Sequence, residues 1–196
     1  QKMLVGKFKK IGIAVDVAGL SGISAVYAAK GAFSCAIMND TTVRCWGRND
    51  KGQLGDGTQT DRPTPVPVKA LTGAVRLALA ELHACALLSD GSMRCWGNNY
   101  DGELGDGTSG NISAVPVSTR WYSNVASVAT GAGNGWSCLT STDGSGRCWG
   151  YGYDHSRLGS GSATANVEPG ITSLIGVNQA RRIDVRQNHG CLTQAD

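Results

Sequence analysis

Residues Phe33–Thr58 read FSCAIMNDTTVRCWGRNDKGQLGDGT, and the chain contains further copies of this sequence. A second copy, HACALLSDGSMRCWGNNYDGELGDGT, spans His83–Thr108 with the same spacing. A third copy, WSCLTSTDGSGRCWGYGYDHSRLGSG, spans Trp136–Gly161 with one extra residue, and a fourth begins as HGCLTQAD at His189. The sequence therefore contains an internal repeat of about 50 residues, a period typical of repeat architectures.

Each repeat carries the pattern of short β-strands. Apolar segments rich in Val and Ala, bounded by Gly or Ser, precede the first cysteine of each copy, as expected for buried strands. They are Ile23–Ala29, Ala74–Ala80 and Val125–Thr130. A strand that contains the first cysteine, a turn and an Arg-Cys-Trp-Gly strand follow each of them. With 28 Gly among 196 residues, we predict an all-β chain of short strands and tight turns.

Six of the seven cysteines fall into pairs that are ten positions apart. The pairs are Cys35 and Cys45, Cys85 and Cys95, and Cys138 and Cys148. A hairpin centred between the two members sets each pair directly opposite on antiparallel strands, which is compatible with a disulfide. We therefore predict three disulfides, and these bonds indicate an oxidising compartment. Reduced buried cysteines are the alternative, and a zinc site is less favoured because paired ligands usually stand about two to four residues apart.

The hairpin turns centre on an aspartate in each copy, namely Asp40, Asp90 and Asp143. In the second and third copies the next residue is Gly91 or Gly144, which suits a turn position with a positive φ. The first copy has Thr41 at this position, so we expect its turn to be strained or longer.

The runs CWGRNDKGQLGDGT (Cys45–Thr58) and CWGNNYDGELGDGT (Cys95–Thr108) resemble the regulator of chromosome condensation repeat family. The runs GLSGISAV (Gly19–Val26) and HACAL (His83–Leu87) resemble it as well, and the resemblance covers residues 14–196. It implies a β-propeller, whose blades of four short antiparallel strands match the period of the repeat. The chain would supply about 3.5–4 blades, a partial propeller. The paired cysteines resemble the bacterial extracellular branch of the family.

The periodicity predicts an N-terminal extension (1–13), three repeats (14–65, 66–115 and 116–169) and an incomplete fourth repeat (170–196). A ring of seven such blades needs roughly 350 residues, so three interpretations stay open. The chain is a fragment of a longer propeller, one of two chains that close a ring, or a unit of an open stack. Cys191 has no matching second cysteine, so we predict an unpaired or intermolecular thiol.

Several classes of protein are disfavoured by composition. The formal net charge of +3 is too small for the basic footprint of a nucleic-acid-binding protein. No stretch is long and apolar enough for a membrane span. Lysines before the apolar run Ile11–Ala29 mimic a signal peptide, but Asp16 interrupts that run, which also aligns with the repeat. We therefore favour a repeat strand there.

Residues at equivalent positions are expected to serve packing. Trp46, Trp96 and Trp149 follow the second cysteine, and the leucine of each Gly-x-Leu-Gly turn follows them, so we predict that both fill the space between blades. A ring of ligand-stacking aromatics is the alternative for the tryptophans. A second position holds Phe33, His83, Trp136 and His189, which indicates packing or hydrogen bonding rather than catalysis.

We find no catalytic signature in the sequence and predict that the protein is not an enzyme and holds no cofactor or metal. Asp56 and Asp106 stand in Gly-Asp-Gly turns, where bonding of the side chain to the backbone explains them. Ser160 replaces this aspartate in the third copy, which argues against calcium loops.

We expect a protein-binding or scaffold module that is secreted and extracellular, periplasmic or at the cell surface, with other proteins or further copies of itself as partners. The segments that differ between copies, Gln59–Pro65, Ser109–Ala114 and Tyr151–Arg157, are the predicted binding loops. Together with Trp121, the candidate contact residues are Arg62, Tyr100, Asn111, Tyr151, Tyr153, His155 and Arg157. Ordinary solvated loops are the alternative for these segments. A structural subunit of a surface assembly or filament, and a regulator that resembles a guanine-nucleotide exchange factor, are the alternative functions.

Overall fold

The structure is a computed structural model that describes residues 17–29, 31–120, 123–131, 135–150, 172–174, 179–185 and 190–194. These segments consist of β-strands, turns and connecting loops, so the all-β prediction is confirmed for them. Nothing in these segments is a helix that could cross a membrane.

The strands form three antiparallel sheets of four strands and one sheet of two strands, each built from consecutive strands. The first sheet contains β1 (Ile23–Ala28), β2 (Phe33–Met38), β3 (Val43–Gly47) and β4 (Arg62–Pro67). The second contains β5 (Ala74–Leu79), β6 (His83–Leu88), β7 (Met93–Asn99) and β8 (Asn111–Ser118). The third contains β9 (Val125–Thr130), β10 (Trp136–Ser141), β11 (Gly146–Gly150) and β12 (Thr172–Ser173). The fourth pairs β13 (Ala180–Val185) with β14 (Gly190–Gln194). The predicted repeat boundaries stay predictions, because strand pairing shows which strands form a sheet but not where one repeat ends and the next begins.

Two segments predicted as loops are largely strands. β4 begins at Arg62 and β8 begins at Asn111, so only the first residues of 59–65 and 109–114 remain loop. The prolines of β4 at positions 63, 65 and 67 resemble loop signals in the sequence. A strand at the edge of a sheet uses only one of its sides for pairing, and prolines at every second position leave the intervening N–H groups available.

The three predicted disulfides are present. Cys35–Cys45, Cys85–Cys95 and Cys138–Cys148 each join the second and third strands of a sheet, with Cα atoms 4.1 Å apart. Both members of each pair are directly opposed in the strand register. All six sulfur-bearing side chains are at most 1% exposed, so the bonds lie within the sheets rather than on their surface.

The hairpin turn of each sheet contacts the start of the next sheet. Val125 N donates to the carbonyl oxygen of Gly91 at 3.0 Å, and Ala180 N donates to that of Gly144 at 3.0 Å. In the first sheet the carbonyl oxygen of Thr41 accepts the equivalent bond from Ala74 N at 3.1 Å. The turn has the same length as the other two, and Thr41 adopts φ 65° in it. The strained alternative predicted for the first turn is therefore confirmed, because threonine rarely adopts this conformation.

One glycine stands in each of these turn contacts. Thr41 faces Gly73, whose N–H donates to the threonine Oγ1 at 3.0 Å. In the second and third contacts the glycine lies in the hairpin turn instead, where Gly91 faces Asn124 and Gly144 faces Gln179. In each contact only one of the two facing residues has a side chain. The glycine opposite it therefore lets the two backbones approach closely.

The third strand of a sheet carries a tryptophan that bonds to a loop of the preceding sheet. The indole Nε1 of Trp96 donates to the carbonyl oxygen of Gln53 at 2.9 Å, and Trp149 Nε1 donates to that of Glu103 at 2.8 Å. Both indoles are fully buried between sheets, whereas Trp46 is half-buried. Packing between repeats is therefore confirmed for Trp96 and Trp149.

The Gly-x-Leu-Gly loops are shaped to receive these indoles. Leu54 and Leu104 are fully buried, each in the same hydrophobic cluster as the tryptophan of the next sheet. A Cβ atom on Gly105 would lie 2.8 Å from the Nε1 atom of Trp149, and the residue has φ +65°. Both the close approach and the left-handed backbone therefore require glycine at this position.

A carboxyl group is buried at the contact between the second and third sheets. Glu103 is 1% exposed, and its carboxyl oxygens accept bonds from Asn98 Nδ2 and, at 2.8 Å, from the backbone N of Asp101. Burial raises the pKa of Glu103 above its ordinary value, and the nearby Asp101 contributes in the same direction. Gln53 occupies the equivalent site in the first sheet as a neutral side chain, also fully buried.

We predict that alanine at Gly144 destabilises the protein more than alanine at Gly91. A Cβ atom at Gly144 would lie 2.5 Å from the backbone of Gln179, whereas at Gly91 the nearest backbone atoms are 3.3 Å away. Gly110→Ala is the matched control, since Gly110 has φ +76° and nothing within 4 Å of the added atom. Denaturant unfolding should show a loss of about 1 kcal/mol for the control and roughly 1–3 kcal/mol more for Gly144→Ala. Equal losses for Gly110→Ala and Gly144→Ala would contradict the sheet-to-sheet contact.

We also predict that Glu103→Gln changes the pH dependence of stability. A carboxyl whose pKa rises on folding stabilises the fold at pH values below its ordinary pKa of 4.5, and this contribution is lost as the pH rises through the raised value. The glutamine variant should therefore be more stable than the wild type at pH 8, with the difference shrinking toward pH 4. Unfolding free energies measured across this range provide the test, and Gln53→Glu should introduce the same slope into the first sheet. Parallel pH profiles for wild type and Glu103→Gln would refute the prediction.

Candidate functional site

The loops between the third and fourth strands of the first two sheets carry the described candidate residues. In the first sheet, residues 48–61 are organised by the amide of Asn49, which is fully buried. Its Oδ1 accepts a bond from Leu54 N at 2.9 Å, and its Nδ2 donates to the carbonyl oxygens of Thr58 at 3.0 Å and Thr60 at 3.1 Å. One side chain therefore ties the start, middle and end of the loop together.

Asn99 repeats this arrangement in the second sheet. Its Oδ1 accepts a bond from Leu104 N at 3.0 Å, and its Nδ2 donates to Thr108 O at 3.1 Å. Sequence reasoning missed both asparagines, although each stands two residues after the Trp-Gly of its copy. That recurrence was the signal by which they could have been found. The third copy has Gly152 at this position, outside the residues that the structure describes.

The aspartates of the Gly-Asp-Gly turns are structural, as predicted. Asp56 Oδ1 accepts a bond from Thr58 N, and Asp106 Oδ1 accepts one from Thr108 N, both at 2.9 Å. Burial pushes the pKa of Asp56 up, but the hydrogen bonds from Thr58 and Arg62 outweigh it and lower the pKa of this carboxyl overall. Asp56 is therefore ionised at neutral pH within its turn.

Arg62 and Asn111, the first residues of β4 and β8, are bonded to side chains of the loops that precede them. Arg62 Nε contacts Asp56 Oδ2 at 2.8 Å in a partly buried ion pair. Asn111 Oδ1 accepts a bond from Asn99 Nδ2 at 2.8 Å, although much of the residue is exposed. Both side chains therefore contribute to holding the loops in shape.

Tyr100 presents an aromatic ring to solvent. It is 53% exposed and is the first residue of the second loop, immediately after the Asn99 that anchors that loop. Lys51, from the loop of the first sheet, places its Nζ atom 5.2 Å from the centre of the tyrosine ring. Such a cation–π contact restrains an exposed aromatic side chain and links the two loops into one surface.

The remaining predicted contact residues are not described by the structure. Trp121, Tyr151, Tyr153, His155 and Arg157 all lie outside the described residues. They stay predictions from the sequence.

The repeat position shared by Phe33, His83 and Trp136 is buried in all three sheets, as expected for packing. His83 Nε2 lies 2.8 Å from Ser137 Oγ of the next sheet. Burial lowers the pKa of His83 to about 4, so the imidazole is neutral at pH 7. His189, at the fourth position, lies outside the described residues.

The innermost strands line a groove that is separate from the loop face. Residues of β1, β5, β9 and β13 surround a cavity of about 330 Å³. Arg76 projects from this wall and donates to Ser127 Oγ at 3.1 Å. Among the residues that the structure describes, no group of three or more His, Cys, Asp or Glu side chains is arranged to hold a metal ion.

The repeats match models of a known repeat family. Two models of the "Regulator of chromosome condensation (RCC1) repeat" match the chain, one over residues 42–87 and the other over residues 28–53 and 81–103. Human and mouse E3 ubiquitin-protein ligase HERC2 are each 39% identical to the chain over 71 residues, which is 35% of this chain and 2% of the relative. The chain thus spans a very small part of this relative.

Solved structures share the fold over most of the chain. Human WBSCR16 aligns with a TM-score of 0.74 and 19% identity, covering 88% of this chain and 45% of that one. Yeast RCC1 (Prp20), solved with Kap60 bound, gives a TM-score of 0.75 and 21% identity over 92% of this chain and 44% of that one. A second structure of Prp20p from Saccharomyces cerevisiae gives 0.75 and 18%, over 91% and 45%.

The chain therefore covers less than half the length of each of these structures. Its three four-stranded sheets correspond to blades of a propeller, and together with the two-stranded sheet they form a partial propeller in the described part of the chain. The chain therefore contains regulator of chromosome condensation repeats within residues 28–103, and its sheets are folded as blades of a β-propeller.

Proposed function

We propose that this chain is a non-enzymatic, extracellular protein-binding module that recognises its partner through the loop face around Tyr100. The observation that carries the proposal is an exposed aromatic ring on a loop that is fixed by its own buried asparagine. Tyrosine at such a position supplies a large contact area at a low cost in conformational entropy.

The loop face has the properties of a preorganised binding surface. Its two described loops are each held by one buried asparagine, and Lys51 bridges them through the Tyr100 ring. Arg48 pairs with Asp50 at 2.6 Å, and Arg62 pairs with Asp56, so these two arginines have carboxylate partners on the same face. Such local neutralisation favours a protein partner over nucleic acid, which is recognised by clustered positive charge.

Relatives of known structure support binding as the use of this fold. Prp20 was solved with Kap60 bound, and Prp20p is described with binding to Gsp1p and histones. HERC2 is named as an E3 ubiquitin-protein ligase, but the match covers 2% of that protein, and no ligase activity is proposed for this chain. The polar side chains described in the loops are engaged in holding loop structure, which favours a binding role over catalysis.

The disulfides support an extracellular location. Three of them lie at equivalent buried positions, one in each four-stranded sheet. Disulfides of this kind persist in oxidising compartments and are rare in the cytosol. The chain is therefore proposed to work outside the cytosol.

The binding face is tested by placing p-benzoylphenylalanine at Tyr100 and irradiating the protein with extracellular material from its source. A cross-linked protein is expected from this position. Val75 and Val115 are matched controls, since they are 51% and 40% exposed on strands rather than on the loop face. Equal cross-linking of the same protein from the control positions would count against the loop face.

The identified partner then allows a quantitative test. Tyr100→Ala should weaken binding by about tenfold or more, whereas Tyr100→Phe should retain most of the affinity because the ring is kept. The unfolding free energy should change by less than about 1 kcal/mol, since the ring is half exposed and Tyr100→Ala loses its contact with Lys51. Unchanged affinity of Tyr100→Ala would contradict the proposed role of this residue.

The proposed compartment predicts fully oxidised cysteine pairs in protein isolated from its native source with thiols blocked at lysis. Peptide mapping without reductant should recover Cys35 linked to Cys45, with the other two pairs linked likewise. Free thiols at Cys35 and Cys45 would overturn the extracellular assignment. This outcome is independent of the binding test.

A further inference from the structure

Aspartate is directly followed by glycine at five places in the chain, and all five lie in the described segments. These Asp-Gly steps are Asp56–Gly57, Asp90–Gly91, Asp101–Gly102, Asp106–Gly107 and Asp143–Gly144. Glycine has no side chain that would shield its own backbone nitrogen, so this nitrogen can approach the carboxyl group of the preceding aspartate. Each step is therefore open to an intramolecular reaction, and its surroundings decide how fast that reaction runs.

Four of the five carboxyl groups are held in place by the residue two positions later. In each of these steps, the aspartate Oδ1 accepts a hydrogen bond from the backbone N–H of that residue at 2.8–2.9 Å. The donors are Thr58, Ser92, Thr108 and Ser145. Hydrogen bonds of this kind lower the pKa of Asp90 and Asp143. The bonded carboxylates are thus kept ionised and fixed to a different backbone nitrogen.

Asp101 is the exception among the five. Within the described segments no hydrogen bond reaches its carboxyl group, and the residue is exposed. Its own backbone N donates instead to Glu103 Oε2 at 2.8 Å. Burial of part of the side chain raises the pKa of Asp101 above its ordinary value. This carboxyl group is therefore unrestrained, and it takes up a proton more readily than an ordinary aspartate.

The nitrogen of Gly102 is weakly bonded as well. It lies 3.4 Å from the carbonyl oxygen of Asn99, beyond the usual N–H···O range of about 2.7–3.2 Å. In the first sheet the equivalent bond, from Gly52 N to Asn49 O, measures 2.9 Å. Three other Asp-Gly steps bond their glycine N–H at 2.9–3.0 Å, namely those of Gly57, Gly91 and Gly144. Among the five described steps, a loose carboxyl group and a loose nitrogen therefore meet at Asp101–Gly102 alone.

We propose that Asp101–Gly102 is a site of spontaneous modification at which aspartate is converted to isoaspartate, faster than at the other four steps. Four chemically identical steps in the same chain supply the contrast that supports it. The isoaspartyl carboxyl group is in turn a substrate for the class of methyltransferases that recognise altered aspartates. The site lies in the loop that carries Tyr100, but its chemistry does not depend on the proposed function.

The reaction needs no cofactor, oxidant or second protein. The nitrogen of Gly102 attacks Cγ of the protonated Asp101 carboxyl group, a carbon–nitrogen bond forms, and the amide proton leaves with the hydroxyl as water. Water then opens the five-membered succinimide ring. Addition at Cγ restores aspartate, whereas addition at the backbone carbonyl carbon leaves the main chain running through Cβ and Cγ. One water is lost and one is gained, so isoaspartate has the same mass as aspartate.

The product would change the loop that carries Tyr100. Isoaspartate adds one carbon to the main chain, which lengthens the path from Asp101 Cα to Gly102 N by about 1.5 Å. This insertion falls within the segment that Asn99 closes, because its Oδ1 accepts a bond from Leu104 N at 3.0 Å. We expect that bond to be lost, so that the ring of Tyr100 is no longer held in its place.

Ageing of the full chain tests the proposal. The folded, oxidised protein is incubated at neutral pH, and isoaspartyl groups are labelled with a carboxyl methyltransferase. Electron-transfer fragmentation locates the label, because Asp101 and Asp106 share the tryptic peptide 95–120. Label at Asp101 should appear at least about tenfold faster than at any other Asp-Gly step, the factor expected when a hydrogen bond to a charged group is missing. Label that arises by deamidation at Asn134–Gly135 is recognised by its change of mass.

Two controls separate the effect of structure from that of sequence. In urea with reductant the chain is unfolded, and the five steps should convert at similar rates. Asp101→Glu keeps the charge but would have to close a six-membered ring, which forms far more slowly, so position 101 should gain no label. In aged wild-type protein the amide of Leu104 should exchange with solvent faster than in fresh protein, and this change should be absent from aged Asp101→Glu.

Equal labelling of the five steps in the folded protein would overturn the proposal, as would faster labelling of any step other than Asp101–Gly102. A lead of Asp101 that persists undiminished in urea would assign the effect to the local sequence and overturn the role of the loop structure. Unchanged exchange at Leu104 in protein that carries the label would refute the expected loosening of the loop.

Discussion

The bond from a tryptophan indole to a backbone carbonyl of the preceding sheet is the contact on which the assembly of this chain depends. Trp96 and Trp149 reach across to Gln53 and Glu103, and burial of each indole requires a leucine and a glycine beneath it. The loop that receives the indole is the same loop that forms the candidate binding face. Sheet packing and the shape of the binding face therefore have one origin, and a change in one alters the other.

Local patterns made much of this architecture predictable. Cysteines ten residues apart and glycine after the turn aspartate depend only on neighbours along the chain, and they correctly indicated the disulfides and hairpins. β4 and β8 were missed because proline opposes strands in general, while tolerance of proline at an edge depends on which strand is outermost. Sequence periodicity does not report that position.

The candidate site was predicted less well, for a different physical reason. The sequence marks variable polar residues, but it does not distinguish a side chain that holds its own loop from one that faces a partner. Arg62 and Asn111 are bonded to side chains of the loops, whereas the described bonds leave the ring of Tyr100 half exposed beside Lys51. In the sequence, Asn49 and Asn99 look like ordinary loop residues. Only the structure shows that each accepts a hydrogen bond from the backbone N–H of the residue five positions later.

The placement of the disulfides has a mechanical consequence. Each one closes the hairpin between the second and third strands, so residues 35–45, 85–95 and 138–148 cannot be extended by tension on the chain. The stretches outside the hairpins can be drawn out, and two of them, 46–84 and 96–137, contain β4, β8 and the loop face. Under shear the protein would thus lose the candidate binding face before the hairpins that the disulfides close, and the detached strands would pair again with the hairpins that remain.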